Sequence, residues 1–315
     1  MKHRGPLLIA GLVLAAMLFV LSREGWKSGS NPVGGDLRIV SLAPNATEIL
    51  FMLGVGDRLV GVTNVCNHPP AAQSIEQIGL FGDPNVERLL AVRPTLVVCS
   101  GLSPAVSLDA LRNSNIRIVQ AEINSFETLF AAITNIGTAV GRENRAREII
   151  KSMEDRLRKV REDFEKTPPE KLPRVYVEIW NDPLMTVGGT CFMNEMISLA
   201  GGVNVAREIA QDFPKINPEK VVEWNPDVIL VARMTSAEKA GKEFPARIGW
   251  NGISAVRNGR LICDIDLDLL LRAGPRLIDG VEILHKRFRT FSGLTNSEET
   301  SSEPHSNAPD GAGKQ

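Results

Sequence analysis

Glu143 to Lys166 reads ENRAREIIKSMEDRLRKVREDFEK. Within it Ile149, Met153, Leu157, Val160 and Phe164 recur at spacings of 4, 4, 3 and 4, which places an apolar stripe along one side of a helix. The remaining faces are charged, and no Gly or Pro interrupts the run. At 1.5 Å per residue the helix would reach roughly 36 Å, the width of a small domain. A charged helix with a narrow stripe is, alone, an ordinary surface helix. What flanks it decides its role.

Upstream, short strands alternate with helices. Strands are predicted over 38–42, 59–63, 95–99 and 116–119, and helices over 46–54, 86–92, 107–113 and 126–140. After Pro168-Pro169 the same grammar restarts, with strands over 174–179, 228–231 and 259–263 and helices over 193–200, 218–224 and 277–291. The two halves also match in detail. NVERLLAVRPTLV from Asn85 parallels NPEKVVEWNPDVI from Asn217, each with a Glu (Glu87, Glu219) and, seven residues on, a Pro (Pro94, Pro226) that opens a strand. TEILFMLG, Thr47 to Gly54, parallels NEMISLAG, Asn194 to Gly201. The predicted fold is α/β, with two similar lobes built on parallel sheets, 37–142 and 173–291. A single long helix, within 143–172, joins them.

The totals agree with this reading. A chain of 315 residues holds about two domains, and a net charge of −1 gives no reason to expect a nucleic acid or an acidic surface as partner. The four cysteines, Cys66, Cys99, Cys191 and Cys263, form no CxxC, so no zinc site is indicated. All four fall at or just after predicted strand ends. They are either disulfides within a lobe, Cys66 with Cys99 and Cys191 with Cys263, or small buried hydrophobes. A third option is a thiolate, or His68, ligating the metal of a bound chelate.

Residues 1–36 read as a targeting segment. Lys2 and Arg4 precede an apolar run from Leu7 to Leu21 that ends in Phe-Val-Leu-Ser-Arg, a poor cleavage site. An uncleaved membrane anchor is therefore favoured over a cleaved signal, and no cysteine follows that would carry a lipid. Ser28 to Gly35 is a linker, and 292–315 has the composition of a disordered tail.

Glu87 and Glu219 sit where a carboxylate favours the helix dipole by about 0.3–1 kcal/mol. Their equivalence in the two halves also suits docking onto a two-fold symmetric, basic partner. It does not suit acid–base catalysis, which needs two carboxylates within about 10 Å of each other.

RIVSLAPNATEILFMLGVGDRLVGVT (Arg38 to Thr63) resembles the opening of the cobalamin- and iron-chelate-binding family, the class III solute-binding proteins of ABC importers. IEQIGLFGDPNVERLLAVRPTLVV, WNDPLMTVGG, INPEKVVEWNPDVIL and DLLLRAGPRLIDGVEIL resemble that family in the same order, so the likeness covers Leu37 to Phe291. It implies two lobes with the ligand in a cleft between them, and a permease dimer with its ATPase subunits as partner. No cofactor is implied; the ligand itself would be a cobalamin-type corrinoid or an iron chelate. Location would be extracytoplasmic, with the N-terminal segment holding the chain to the inner membrane. On the matching motif positions, Glu87 and Glu219 would dock onto permease arginines. Phe81 and Phe213 would pack against the ligand or else anchor loops. Asp268 and Arg272 would contact ligand amides or else form a plain i,i+4 pair. Trp180 and Met185, just after a strand, line the cleft or fill the core, whereas Trp224 and Trp250 read as structural.

The chain departs from the cobalamin-binding branch at two stacking positions. His68 is the sole aromatic in Val65 to His68, and Ser100 follows Cys99. Ala200 also replaces one cysteine of that branch's disulfide. These departures leave room for another corrinoid or a ferric chelate, and a ferric siderophore or haem is the alternative ligand. Haem binders of this fold often use tyrosine, and Tyr176 lies inside a predicted strand. The bare zinc or manganese branch uses clustered histidines, against His68 alone here. An anchored ligand sensor would have the same cleft. An enzyme would need a phosphate loop or an activated nucleophile, and no GxGxxG, GxxxxGK[ST] or GxSxG occurs. Gly188-Gly189 is the nearest approach.

Overall fold

The computed structural model describes residues 37–101 and 116–292. The predicted helix over 107–113, the anchor and the tail lie outside these residues.

The first lobe carries β1 (Ile39–Ser41), α1 (Pro44–Met52), β2 (Leu59–Val62) and a short hairpin of β3 (Gly79–Leu80) and β4 (Asp83–Pro84). It continues through α2 (Val86–Ala91), β5 (Leu96–Cys99), β6 (Arg117–Gln120) and α3 (Phe126–Ala139). The long helix follows as α4, Glu143–Phe164. The second lobe begins with β7 (Arg174–Glu178), the hairpin β8 (Trp180–Asn181) and β9 (Leu184–Met185), α5 (Phe192–Leu199) and β10 (Val203–Asn204). Then come α6 (Pro218–Trp224), β11 (Val228–Val231), α7 (Ala237–Ala246), α8 (Ser254–Arg257), β12 (Leu261–Ile262), α9 (Asp268–Leu271) and α10 (Leu277–Ser292).

The two main sheets have the same topology. Their orders are β2-β1-β5-β6 and β10-β7-β11-β12, parallel throughout. The repeat read from the sequence is therefore a repeat of structure. α1 and α5 both stop at a glycine in the left-handed region, Gly54 at φ +75° and Gly201 at φ +83°. The residues before the two strand-opening prolines, Arg93 and Asn225, also share a positive φ. One detail differs: the Asn85 side chain caps α2 by accepting from the Arg88 N–H at 2.9 Å, whereas Asn217 makes no side-chain cap to α6.

Each sheet has its own core. Val40, Leu42, Ile78, Leu89, Val97 and Cys99 cluster in the first lobe. Tyr176, Ile229, Phe244 and Trp250 anchor the second. Trp250 is fully buried and Trp224 packs half-buried against the same cluster.

α4 packs against α3 of the first lobe and against α5 and α10 of the second. Ile149, Met153 and Val160 of its stripe are buried, and Leu157 and Phe164 are half-buried. Glycines set the approach at both ends. A Cβ on Gly137 would lie 2.7 Å from the Ala146 Cβ, and one on Gly201 would lie 2.8 Å from the Phe164 ring. Polar ties reinforce the packing. Arg156 donates to both Glu282 oxygens at 2.8 and 2.7 Å, and the His285 ring bridges Asp163 at 2.9 Å and the Ala200 carbonyl at 3.1 Å.

The short β3–β4 and β8–β9 hairpins, β10, α7 and α8 were not anticipated. The strands are two residues long, too short to alternate visibly, and Pro245 near the end of α7 reads as a breaker.

Candidate functional site

The segments that follow the strand ends of one sheet meet those of the other. After β1, the Asn45 side chain donates to the Ala273 carbonyl at 2.9 Å, and Glu48 reaches Arg272 at 3.1 Å and Arg276 at 2.9 Å. After β2, Asn67 accepts from Arg272 at 2.8 Å. After β6, the Phe126 N–H donates to Glu195 of α5 at 3.0 Å. The carboxyl ends of both sheets therefore face a shared crevice, the usual ligand position for open parallel sheets.

The crevice floor is an ion network. Glu48 is buried at 3% exposure, and the Arg272 and Arg276 side chains are 12% and 16% exposed. Asp268 completes the network at 3.0 Å from Arg272. The hydrogen bond to Glu48 raises the pKa of the Arg276 guanidinium. So Asp268 and Arg272 do form the i,i+4 pair through Nη2, while Arg272 Nη1 donates to Glu48 and Asn67 of the other lobe. Sequence reading missed Glu48 and Arg276. The signal was a lone carboxylate in the apolar run ATEILFML, whose only remedy on burial is a cation.

The apolar candidates lie on hairpins and loops that follow strand ends. Phe81, in the turn between β3 and β4, is 37% exposed, and its N–H donates to the Asn64 side chain at 3.0 Å. Trp180 opens the β8–β9 hairpin and is 55% exposed; its indole N–H donates to the Asp182 carbonyl at 2.8 Å. Met185 is its cross-strand partner and is half-buried. Phe213 is 45% exposed on the loop between β10 and α6. None of the three aromatics is buried in a core. His68 is half-buried next to Asn67, which makes the interlobe bond.

Gly188 and Gly189 hold that Phe213 loop and do not form a phosphate cradle. Their N–H groups donate to the carbonyls of Asp212 (3.0 Å) and Ile209 (2.8 Å), and a Cβ on either would lie 2.0 Å from a loop carbonyl oxygen.

Behind the second-lobe wall, Glu178 at the end of β7 is fully buried. It accepts from Arg233 at 2.7 Å and from Arg247 at 2.5 and 2.9 Å, and Glu243 accepts from both arginines. The Arg247 guanidinium lies 4.5 Å from the ring centres of Phe244 and Trp250. This network was also missed, since its members are scattered singly along the chain.

Cys66, Cys191 and Cys263 are free thiols, so neither within-lobe pairing, Cys66 with Cys99 or Cys191 with Cys263, is formed. Burial pushes the Cys191 and Cys263 thiols up to about 11, so without a metal both are protonated at neutral pH. Tyr176 is fully buried, and burial, with Glu178 beside it, raises its hydroxyl well above the usual range. It cannot serve a ligand in the crevice as a phenolate.

Glu87 and Glu219 lie exposed in the first turns of α2 and α6. A separate concavity of about 520 Å³ is lined by Lys166, Lys171, Asp227, Arg260 and Phe291. It sits at the amino ends of the second sheet, away from the crevice.

A family model described as periplasmic binding protein matches residues 39–265. An uncharacterised substrate-binding lipoprotein of an ABC transporter from Bacillus subtilis is 35% identical over 252 residues, 78% of each chain. The periplasmic vitamin B12-binding protein of Vibrio cholerae superposes with a TM-score of 0.68 at 25% identity, over 81% of this chain and 97% of that one. A periplasmic haem-binding protein from Roseiflexus superposes at 0.70 with 26% identity, over 82% and 100%. The two lobes with facing strand ends define an extracytoplasmic substrate-binding protein of the ABC-transporter type. The chain belongs to the periplasmic binding protein family.

Proposed function

We propose that this protein captures a cobalamin-type corrinoid outside the cytoplasm and delivers it to an ABC permease. The observation that carries the reading is the crevice itself. Three exposed aromatic side chains, Phe81, Trp180 and Phe213, stand on short hairpins or hydrogen-bonded loops, and in this reading they surround the polar floor. A broad, flat metal chelate offers apolar faces to such side chains and amide groups to such a floor. In this reading Asp268 and Arg272 meet ligand amides, and Met185 and His68 fill the wall between the aromatics.

Glu87 and Glu219, one on each lobe, would dock onto basic residues of the two permease subunits. The chain has no cysteine before Cys66, so the apolar run from Leu7 to Leu21 would hold it to the membrane in place of a lipid. Calorimetric titration of the full-length chain in detergent with cobalamin and cobinamide tests the reading. Saturable one-site binding, weakened by Trp180→Ala and Phe213→Ala, is the expected result. Absence of binding to either corrinoid overturns it.

A further inference from the structure

Each exposed aromatic at the crevice has an exposed aspartate beside it. Phe81 is followed by Asp83, Trp180 by Asp182, and Phe213 is preceded by Asp212. All three aspartates are solvent-exposed. Two are fixed by the same local structure that fixes the ring. Asp83 pairs with Leu80 across the β3–β4 turn, and Asp182 offers its carbonyl to the Trp180 indole. The third, Asp212, accepts a hydrogen bond from the Thr190 hydroxyl.

Among the described residues, the cations nearby are mostly committed. From Thr63 to Glu87 the first-lobe wall contains no Lys or Arg. Arg272 and Arg276 are held by Glu48 and Asp268, Arg233 and Arg247 by Glu178 and Glu243, and Arg207 by Glu208. Lys215, two residues after Phe213, is the exposed counter-charge on this side. An aromatic face also carries a negative quadrupole and so favours positive charge. Rings and carboxylates therefore act in the same direction.

We propose that Asp83, Asp182 and Asp212 make the crevice selective by charge, admitting neutral or cationic metal chelates and turning away polyanionic ones. The inference rests on the chelate-binding reading above and narrows it. Corrinoids and ferric hydroxamates are admitted. Ferric tris-catecholates, with three negative charges, and haem, with two propionates, are disfavoured, because among the described residues the three aspartates outnumber Lys215 as exposed charges beside the rings.

The test titrates the full-length chain in detergent with four probes: cobinamide, ferrioxamine B as a cationic hydroxamate, a ferric tris-catecholate, and haemin. Each is measured at about 20 and 300 mM salt, on either side of the range where screening becomes strong. Expected is at least a 10-fold preference for one of the two cationic probes over both anionic ones, shrinking at high salt. Which cationic probe wins separates corrinoid from hydroxamate. In the triple variant D83N/D182N/D212N, with folding checked by circular dichroism, the preference should fall several-fold. Equal or tighter binding of the tris-catecholate or haemin overturns the charge selection while leaving chelate binding intact, and so does an unchanged preference in the triple variant. If none of the four probes binds, the chelate-binding reading falls, and this inference with it.

Discussion

Glu48 of the first lobe and Arg272 of the second are joined at 3.1 Å across the crevice floor, with Arg276 on the same carboxylate at 2.9 Å. The two residues stand 224 positions apart in sequence, and the long helix lies between them. The interlobe angle is thus set twice, by α4 at the back and by a buried ion cluster within the crevice.

Removing one member of a buried pair leaves an uncompensated charge, which costs about 3–5 kcal/mol. Glu48→Ala should therefore lower unfolding stability by roughly that amount, measured by urea denaturation. It should also weaken ligand binding, because Arg272 loses the group that aims it. The Glu48→Ala, Arg276→Ala double variant should recover part of the stability but not the affinity.

Docking predicts a separation of functions. With Glu87 and Glu219 both changed to Arg, ligand affinity by calorimetry should match the parent protein, while uptake into cells should fall at least 10-fold. Unchanged uptake would remove these residues from the transport cycle and leave the helix dipole as their role.

Much of this fold was readable because it repeats. The stripe of α4 and the paired NxE…P motifs depend on local spacing, which sequence records directly. The crevice was less readable. Trp180, two residues after β7, is 55% exposed, whereas Trp250, 19 residues after β11, is fully buried. Position after a strand end separates these two but does not say whether a ring there faces the crevice or the core. Glu48 was hidden for a different reason: its partners lie in the other lobe, 224 and 228 positions away.

Acid should loosen the strut and the second lobe. The Arg156 hydrogen bond, against opposing burial, holds the Glu282 carboxyl below its usual value. At Glu243 burial pushes upward, but hydrogen bonds from Arg233 and Arg247 outweigh it, and the net shift is again downward. Both groups therefore bind protons more tightly in the unfolded chain. Their stabilisation is complete above the unfolded value of about 4.3 and is lost as pH falls through the folded values. Thermal unfolding should show a flat Tm from about pH 6 to 5 and a decline below about 4, with Arg156→Gln flattening that decline.

Gly201 ends α5 at φ +83° and touches the Phe164 ring near the end of α4. Gly201→Ala meets both the left-handed backbone penalty, about 1–2 kcal/mol, and a ring contact that must give way. A lower urea midpoint with unchanged slope is the expected result. Gly54→Ala, at φ +75° with no neighbour near its Cβ position, should show the backbone part alone.

The thiols offer a check on the compartment-independent part of the fold. Cys191 is buried and Cys263 half-buried, and both titrate near 11 because burial disfavours the thiolate. At pH 8 only about one thiol in a thousand would be ionised, and the thiolate is the species that reacts. Iodoacetamide labelling of the native protein, followed by mass spectrometry, should be slow at both positions and become fast in urea. Labelling should also accelerate with pH well past 9, where an ordinary exposed cysteine has already levelled off. Fast native labelling of Cys263, the more open of the two, would mean that the wall beside Arg233 and Glu178 opens in solution.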